Sequence, residues 1–172
     1  MAALILSDGK RLDVTPLRPA DKAALQEGLA HLSSDSAYRR FLMPITHLSD
    51  SQLTYLTTLD HDHHEALGVT DPMTGEGVGV ARYVQTALRP ATAEIAITVT
   101  DRWQHKGVGK TLLNQLAVTA RTHGISRFSG LILAGNTPML KLMSALGPTI
   151  SSQAENGTVE LVVDLNADVP RP

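Results

Sequence analysis

A strand pattern, a glycine turn and an amphipathic helix follow one another directly in the middle of the chain, and this run restricts the possible folds most. Residues 92–100 alternate polar and apolar side chains, as a half-buried strand does. From Val108 onward the apolar residues recur with helical spacing. The turn between them contains Gly107 and Gly109. The run predicts an α/β protein with free backbone N–H groups where the helix begins.

Such a turn predicts a phosphate site, because a helix N-terminus attracts anions and glycine permits close approach. Residues 109–111 could end a P-loop, but that motif requires glycine where the chain has Gln104. A dinucleotide fingerprint requires a third Gly or Ala where the chain has Leu112. A tight turn without any ligand remains an alternative for an isolated glycine pair.

The other patterns predict one domain across residues 1–172 with a core of about residues 11–165, since no repeat, linker or low-complexity segment occurs. Alternation and turn signals predict further strands near residues 11–17, 65–69, 78–83, 128–133, 150–154 and 159–165. Capping residues predict helices that open near Pro19, Ser33, Ser49 and Asn136.

The net charge and the first residues of the chain indicate which classes of partner are not expected. The formal net charge is −2 and no basic stripe interleaves with aromatics, so nucleic acid is not expected as a partner. The apolar start is interrupted by Ser7 and Asp8, which makes it too short for a signal peptide or a membrane span. We therefore expect no membrane partner and a cytoplasmic location.

Two observations bear on metals and covalent chemistry. The chain contains no cysteine, which excludes disulfides, thiolate zinc sites and a cysteine nucleophile. Residues 60–65 combine histidines with carboxylates, but neighbours on an extended chain point to alternate faces. We expect no metal ion there, and a polar cluster on the acceptor side is the better functional interpretation.

The turn resembles a known motif. Gln104, Gly107 and Gly109 match the pattern of the GNAT superfamily of acyl-CoA-dependent N-acyltransferases: Gln or Arg, two variable residues, Gly, one variable residue, then Gly or Ala. The helix opened by Asn136 and followed by Leu146-Gly147 resembles the second motif of that superfamily. Residues 17–21 and 32–41 resemble the opening helices of its bacterial protein-lysine acetyltransferase branch, so the likeness covers about residues 11–165.

The resemblance implies a GNAT fold, with a mixed central sheet of about six to seven strands flanked by about four helices. Its cofactor cleft would lie between the fourth and fifth predicted strands. The implied cosubstrate is acetyl-CoA or a related acyl-CoA, without a metal. The implied cosubstrate-binding residues lie on the strong strand, the turn and the Asn-capped helix: Ile97, Thr98, Val99, Gln104, His105, Lys106, Gly107, Val108, Gly109, Lys110, Thr111 and Asn136.

The resemblance also implies the chemistry. It places the general base at Glu94, which would deprotonate an amine acceptor, and the resembled branch implies a protein lysine as that acceptor. Many family members protonate the departing thiolate with a tyrosine, whose place is taken here by Met143. Met143 therefore leaves a non-catalytic acyl-CoA sensor as an alternative. Acylation of a small-molecule amine is a second alternative, because no pattern in the sequence identifies the acceptor. The oligomeric state, monomer or dimer, stays open.

Overall fold

The computed structural model describes residues 2–6 and 8–166, so residues 1, 7 and 167–172 of the predicted domain lie outside the described residues. Its eight strands form one sheet in the order β1-β2-β3-β4-β5-β6-β8-β7. The strands are β1 (Ala2–Ile5), β2 (Arg11–Pro16), β3 (His64–Thr70), β4 (Gly77–Thr86), β5 (Arg89–Val99), β6 (Arg127–Leu133), β7 (Thr149–Glu155) and β8 (Thr158–Asp164). Neighbours pair antiparallel except β5 and β6, which pair parallel.

Five α-helices accompany the sheet: α1 (Lys22–Ala30), α2 (Ser34–Phe41), α3 (Asp50–Thr57), α4 (Val108–Thr122) and α5 (Thr137–Ser144). The predicted caps are confirmed. Ser33 and Ser49 accept hydrogen bonds from backbone N–H groups in the first turns of α2 and α3, and Asn136 does so for α5. No helix among the described residues is long and apolar enough to cross a membrane.

The helices cover both faces of the sheet, as two neighbouring residues of β4 illustrate. Tyr83 makes a 2.7 Å hydrogen bond with Nδ1 of His123, which follows α4. Arg82 points the other way and donates to the Leu56 carbonyl in α3 at 3.0 Å. Apolar residues of α4 form the main core with the sheet: Leu112, Leu113, Leu116, Ala117 and Ala120. A smaller cluster joins α1–α3 around Leu29, Ala37 and Leu48.

The predicted mixed α/β class is confirmed, but the sheet has eight strands instead of six to seven, and there are five helices instead of about four. The strand missing from the prediction is β1, a short apolar run at the sheet edge paired with β2. Periodicity cannot identify a strand this short, because four apolar residues fit a strand and a helix equally well.

Candidate functional site

A cleft opens where β5 and β6 part. Over the described residues, the Cα register pairs the two strands only through Thr92 with Arg127, Ala93 with Phe128 and Glu94 with Ser129. Beyond these pairs lies a cleft of about 660 Å³, with residues 94–99 on one wall and residues 130–132 on the other. Because none of the described strands pairs with β5 along this edge, its backbone is available to an extended ligand, as an edge strand's is.

The glycine turn stands at this cleft. Gly107 is the N-cap of α4, with φ at 85° and no side-chain cap, and the first backbone bond of the helix runs from Thr111 N–H to the Gly107 carbonyl at 3.1 Å. Within residues 2–6 and 8–166, the N–H groups of residues 105–110 donate to no protein acceptor. Free N–H groups at the positive end of a helix of this length form a cradle for an anion.

The two glycines have different roles. Gly107 adopts a left-handed conformation that favours glycine, although a Cβ there would meet no atom within 4 Å. Gly109 faces its neighbours, because a Cβ would lie 3.3 Å from Leu142 Cδ1 and 3.6 Å from Ile97 Cδ1. Gly109 therefore lets the first turn of α4 approach β5 and α5 closely. His105 is also left-handed, with φ at 59°, an uncommon conformation for a residue with a side chain.

The Gln104 side chain holds the turn in place. Its Nε2 donates to the Val99 carbonyl at 3.0 Å and to Ser36 Oγ at 3.1 Å, and it lies 3.3 Å from Asp101 Oδ1. These contacts join the turn to the end of β5 and to α2. The sequence pattern assigned Gln104 only to cosubstrate binding. The structure shows a second reason for an amide donor at this motif position, which is that it fixes the turn.

Most predicted site residues meet at the cleft. Its walls include Glu94, Ile97, Thr98, Val99, Gln104, His105, Gly107, Gly109, Lys110 and Asn136. Three others do not line it. Val108 is 1% exposed in the core, and the Lys106 amine lies 5.2 Å from the centroid of the Trp103 ring. Thr111 lies in the second turn of α4. The side chains of Lys106, Val108 and Thr111 therefore do not line the cleft, and only their backbone could face it.

The cleft also contains residues to which the sequence reasoning gave no role. Arg40 and Phe41, from the end of α2, line it beside Glu94. Burial lowers the pKa of the Arg40 guanidinium, and the negative charge of Glu94 partly offsets this effect. No sequence signal could pair Arg40 with Glu94, because the two lie on separate elements that only the packing of α2 on β5 brings together.

Met143 lies in the core. It is fully buried, and a Cβ at Gly130 would lie 3.5 Å from its Cε. No tyrosine occurs among the described residues that line the cleft. A phenolic hydroxyl that could protonate a departing thiolate is therefore absent from those walls, and the side-chain hydroxyls that line them are those of Ser36 and Thr98.

The histidine-rich segment forms a network away from the cleft. His61 Nδ1 lies 2.9 Å from Glu65 Oε1, and His64 Nε2 lies 3.1 Å from Arg82 Nη1. None of residues 60–65 is among the cleft-lining residues, which does not favour an acceptor-side role for them. The described part of the chain contains no group of three or more His, Cys, Asp or Glu side chains arranged to hold a metal ion.

Comparison with known proteins identifies the family. A model described as the acetyltransferase (GNAT) domain matches residues 11–149. The chain belongs to the GNAT acetyltransferase family. This match confirms the predicted resemblance to the GNAT superfamily and the predicted GNAT fold. In this domain the cleft lies where β5 and β6 part.

Three known proteins show what this GNAT domain is similar to. Acetyltransferase Pat of Mycolicibacterium smegmatis is 31% identical over 91% of this chain, and the chain spans 46% of that protein, about half its length. The crystal structure of the GNAT domain of S. lividans PAT has a TM-score of 0.85 and 32% identity, covering 95% of this chain and 96% of that one. Protein yncA of Salmonella typhimurium, solved with its cofactor acetyl-CoA, has a TM-score of 0.71 at 20% identity and covers 93% and 98% of the two chains, which shows the fold alone.

Proposed function

We propose that the chain transfers an acetyl or similar short acyl group from acyl-CoA to a primary amine, that of a protein lysine, with Glu94 as general base. The observation that carries the proposal is the free N-terminus of α4, which opens beside the unpaired edge of β5. We further propose that residues 1–172 act as one domain in the cytoplasm.

The donor would lie along the cleft. The N–H groups of residues 105–110 would hold the pyrophosphate, while the backbone of Ile97, Thr98 and Val99 would bind the pantetheine arm as an added strand does. Asn136 would contact the arm from the opposite wall in addition to capping α5. Acetyl-CoA would supply the activated thioester, and no metal takes part in the proposed reaction.

The acceptor needs a base, because a lysine ammonium has a reference pKa of about 10.4 and cannot attack while protonated. Glu94 is exposed at the floor of the cleft, where it could take this proton directly or through a water molecule. The amine nitrogen would then bond to the thioester carbon, and the C–S bond would break with its electron pair on sulfur. Direct attack fits a chain without cysteine.

Two alternative functions are compatible with the same cleft. Acylation of a small-molecule amine would use the same cleft and the same base, and only the acceptor would differ. A sensor that binds acyl-CoA without turnover is favoured by Met143, which is buried and lacks a proton to donate. A thiolate with a pKa of about 8.5 can leave without assistance, so Met143 does not by itself exclude catalysis.

The test uses the absence of cysteine, since CoA release can be followed with a thiol reagent without signal from the protein. Acetyl-CoA is supplied with a lysine-containing peptide, with the same peptide acetylated at the lysine, and with a polyamine. Release with the free lysine alone supports the proposal. Release with the polyamine alone selects the small-amine function, whereas acetyl-CoA that raises Tm without any release selects the sensor.

A further inference from the structure

A second cavity adjoins the cleft on the face of the sheet covered by α1–α3. It has a volume of about 130 Å³ and a largely apolar wall that includes Leu29, Leu48 and Leu56. Three residues, Arg40, Phe41 and Thr98, line both this cavity and the cleft. The two spaces therefore meet next to the strand that would carry the acyl donor.

Two arginines line this small cavity, Arg40 and Arg82. Arg82 is 5% exposed, and its guanidinium contacts neutral groups: His64 Nε2 at 3.1 Å and the Leu56 carbonyl at 3.0 Å. Among the described residues, neither arginine forms an ion pair with a carboxylate. The hydrogen bonds of Arg82 are partly satisfied, but its charge has no counter-ion.

The charges show how unfavourable this arrangement is on its own. Burial, reinforced by the positive charge of Arg40, lowers the pKa of Arg82 to about 10. Burial and the charge of Arg82 likewise lower the pKa of His64, which favours its neutral form. The carboxylate on the wall of this cavity, Asp21, accepts a hydrogen bond from the Arg18 backbone N–H at 2.7 Å and pairs with neither arginine. Buried charge is costly unless it is paired, so the two unpaired cations are suited to a negatively charged ligand.

The position of Arg82 relates this charge to the reaction centre. Arg82 and Ala96 are register partners across β4 and β5. Glu94 follows two residues away on the same face of β5, because side chains alternate along a strand. Ala96 contributes only a methyl group to the cleft wall beside Arg82, and Arg40, Phe41 and Thr98 form the boundary that the cleft shares with the small cavity.

We propose that Arg40 and Arg82 bind a carboxylate at the far end of the acyl chain, so that the preferred donors are CoA thioesters of short dicarboxylic acids. This inference rests on the proposed acyl transfer. The cavity volume of about 130 Å³ equals that of about four water molecules in the liquid, at ~30 Å³ each. That space suits two methylenes and a carboxylate, the part of a succinyl group beyond its carbonyl.

The transfer balances as for an acetyl group. The amine nitrogen bonds to the thioester carbon, the C–S bond breaks, and sulfur takes the electron pair. Of the two protons that the ammonium loses, one passes through Glu94 to solvent and the other converts the CoA thiolate to the thiol. The distal carboxylate is unchanged and remains on the product.

The experiment compares three donors with the intact chain: succinyl-CoA, acetyl-CoA and 4-methylpentanoyl-CoA, an apolar group of the same shape as succinyl. Equilibrium binding is measured without acceptor, and kcat/KM is measured by CoA release. We expect the affinity and the kcat/KM for succinyl-CoA to exceed those for 4-methylpentanoyl-CoA by at least about tenfold each. This is the usual contribution of a charge-assisted hydrogen bond.

Variants assign the effect to the arginines. Arg82→Gln and Arg40→Gln should each reduce the ratio of succinyl-CoA to 4-methylpentanoyl-CoA by about tenfold or more, and Arg82→Lys should reduce it less. Arg11→Gln, at an exposed arginine on β2 outside both cavities, should leave the ratio unchanged. Circular dichroism shows whether each variant is folded, and Arg82→Lys retains the charge if Arg82→Gln does not fold.

Several outcomes would overturn the proposal. Equal affinity for succinyl-CoA and the apolar donor would do so, and acetyl-CoA turnover without a preference for succinyl-CoA would do so while leaving the proposed acyl transfer intact. Arginine variants that change KM for the amine instead of the donor ratio would assign the carboxylate to the acceptor. Binding of succinyl-CoA without turnover of any donor would contradict the proposed transfer but not the carboxylate site.

Discussion

Glu94 and Ser129 are the last register pair between β5 and β6, and the two strands part directly beyond them. This pairing fixes the backbone of Glu94 within the sheet while its side chain is exposed at the floor of the cleft. A rigid support next to an open space is what a general base requires, because proton transfer depends on a well-defined position.

Glu94→Gln should reduce kcat strongly, by roughly 10²- to 10⁴-fold, since the amide cannot accept the proton of the acceptor ammonium. The Kd for acetyl-CoA should change little, because the proposed donor contacts come from β5 backbone and the turn. CoA release and calorimetric titration measure the two quantities. Glu27→Gln, at an exposed carboxylate on α1, serves as the matched control. Equal turnover in both variants would remove Glu94 as the base.

Gln104→Glu should weaken acetyl-CoA binding by about tenfold. The substitution keeps the shape of the side chain but replaces the donor that contacts the Val99 carbonyl and Ser36 Oγ with an acceptor, close to Asp101. The turn should then lose its fixed position, and the added negative charge disfavours a pyrophosphate. Titration calorimetry measures the affinity, with Gln153→Glu on the exposed strand β7 as the control. Equal Kd values for the two variants would contradict the role of Gln104 in holding the turn.

Gly107→Ala should lower the free energy of unfolding by about 1–2 kcal/mol, because alanine is strained in the left-handed conformation that Gly107 adopts. Contact with neighbours is not the cause, since a Cβ would meet nothing within 4 Å. Gly28→Ala in α1 also adds a methyl in open space but at a helical position, and should raise stability by about 0.5–1 kcal/mol. Urea unfolding measures both. Changes of the same sign would mean that backbone conformation does not decide the effect.

His64→Gln should make stability less dependent on pH in the acidic range. Burial and Arg82 hold the folded-state pKa of His64 below its usual value, so the unfolded chain binds the proton more readily. Stability from the neutral form is present above about pH 6.5 and is lost as pH falls below that value. Tm measured from pH 7.5 to 5 should therefore fall less in His64→Gln than in the parent chain. His47→Gln, at an exposed histidine, controls for loss of an imidazole; an identical decrease in Tm for all three proteins would rule out this contribution.

Local patterns in the sequence were enough for the elements that have strong periodicity or clear caps. The apolar face of α4 and the caps Ser33, Ser49 and Asn136 occur as predicted. These features depend on neighbours within a few residues, which is why they can be read from a single chain. The sequence patterns did not predict β1 because its short apolar run fits a strand and a helix equally well, and its pairing with β2 decides between them.

The candidate site divides in the same way. The sequence determined the anion cradle of the turn, because a strand, glycines and a helix in that order leave N–H groups free whatever the rest of the chain does. Tertiary structure alone decided the width of the cleft, the burial of Met143 and the meeting of Arg40 with Arg82 and Glu94. Those relationships join residues far apart in the chain, and they depend on how α2 and β4 pack against β5, which local periodicity does not encode.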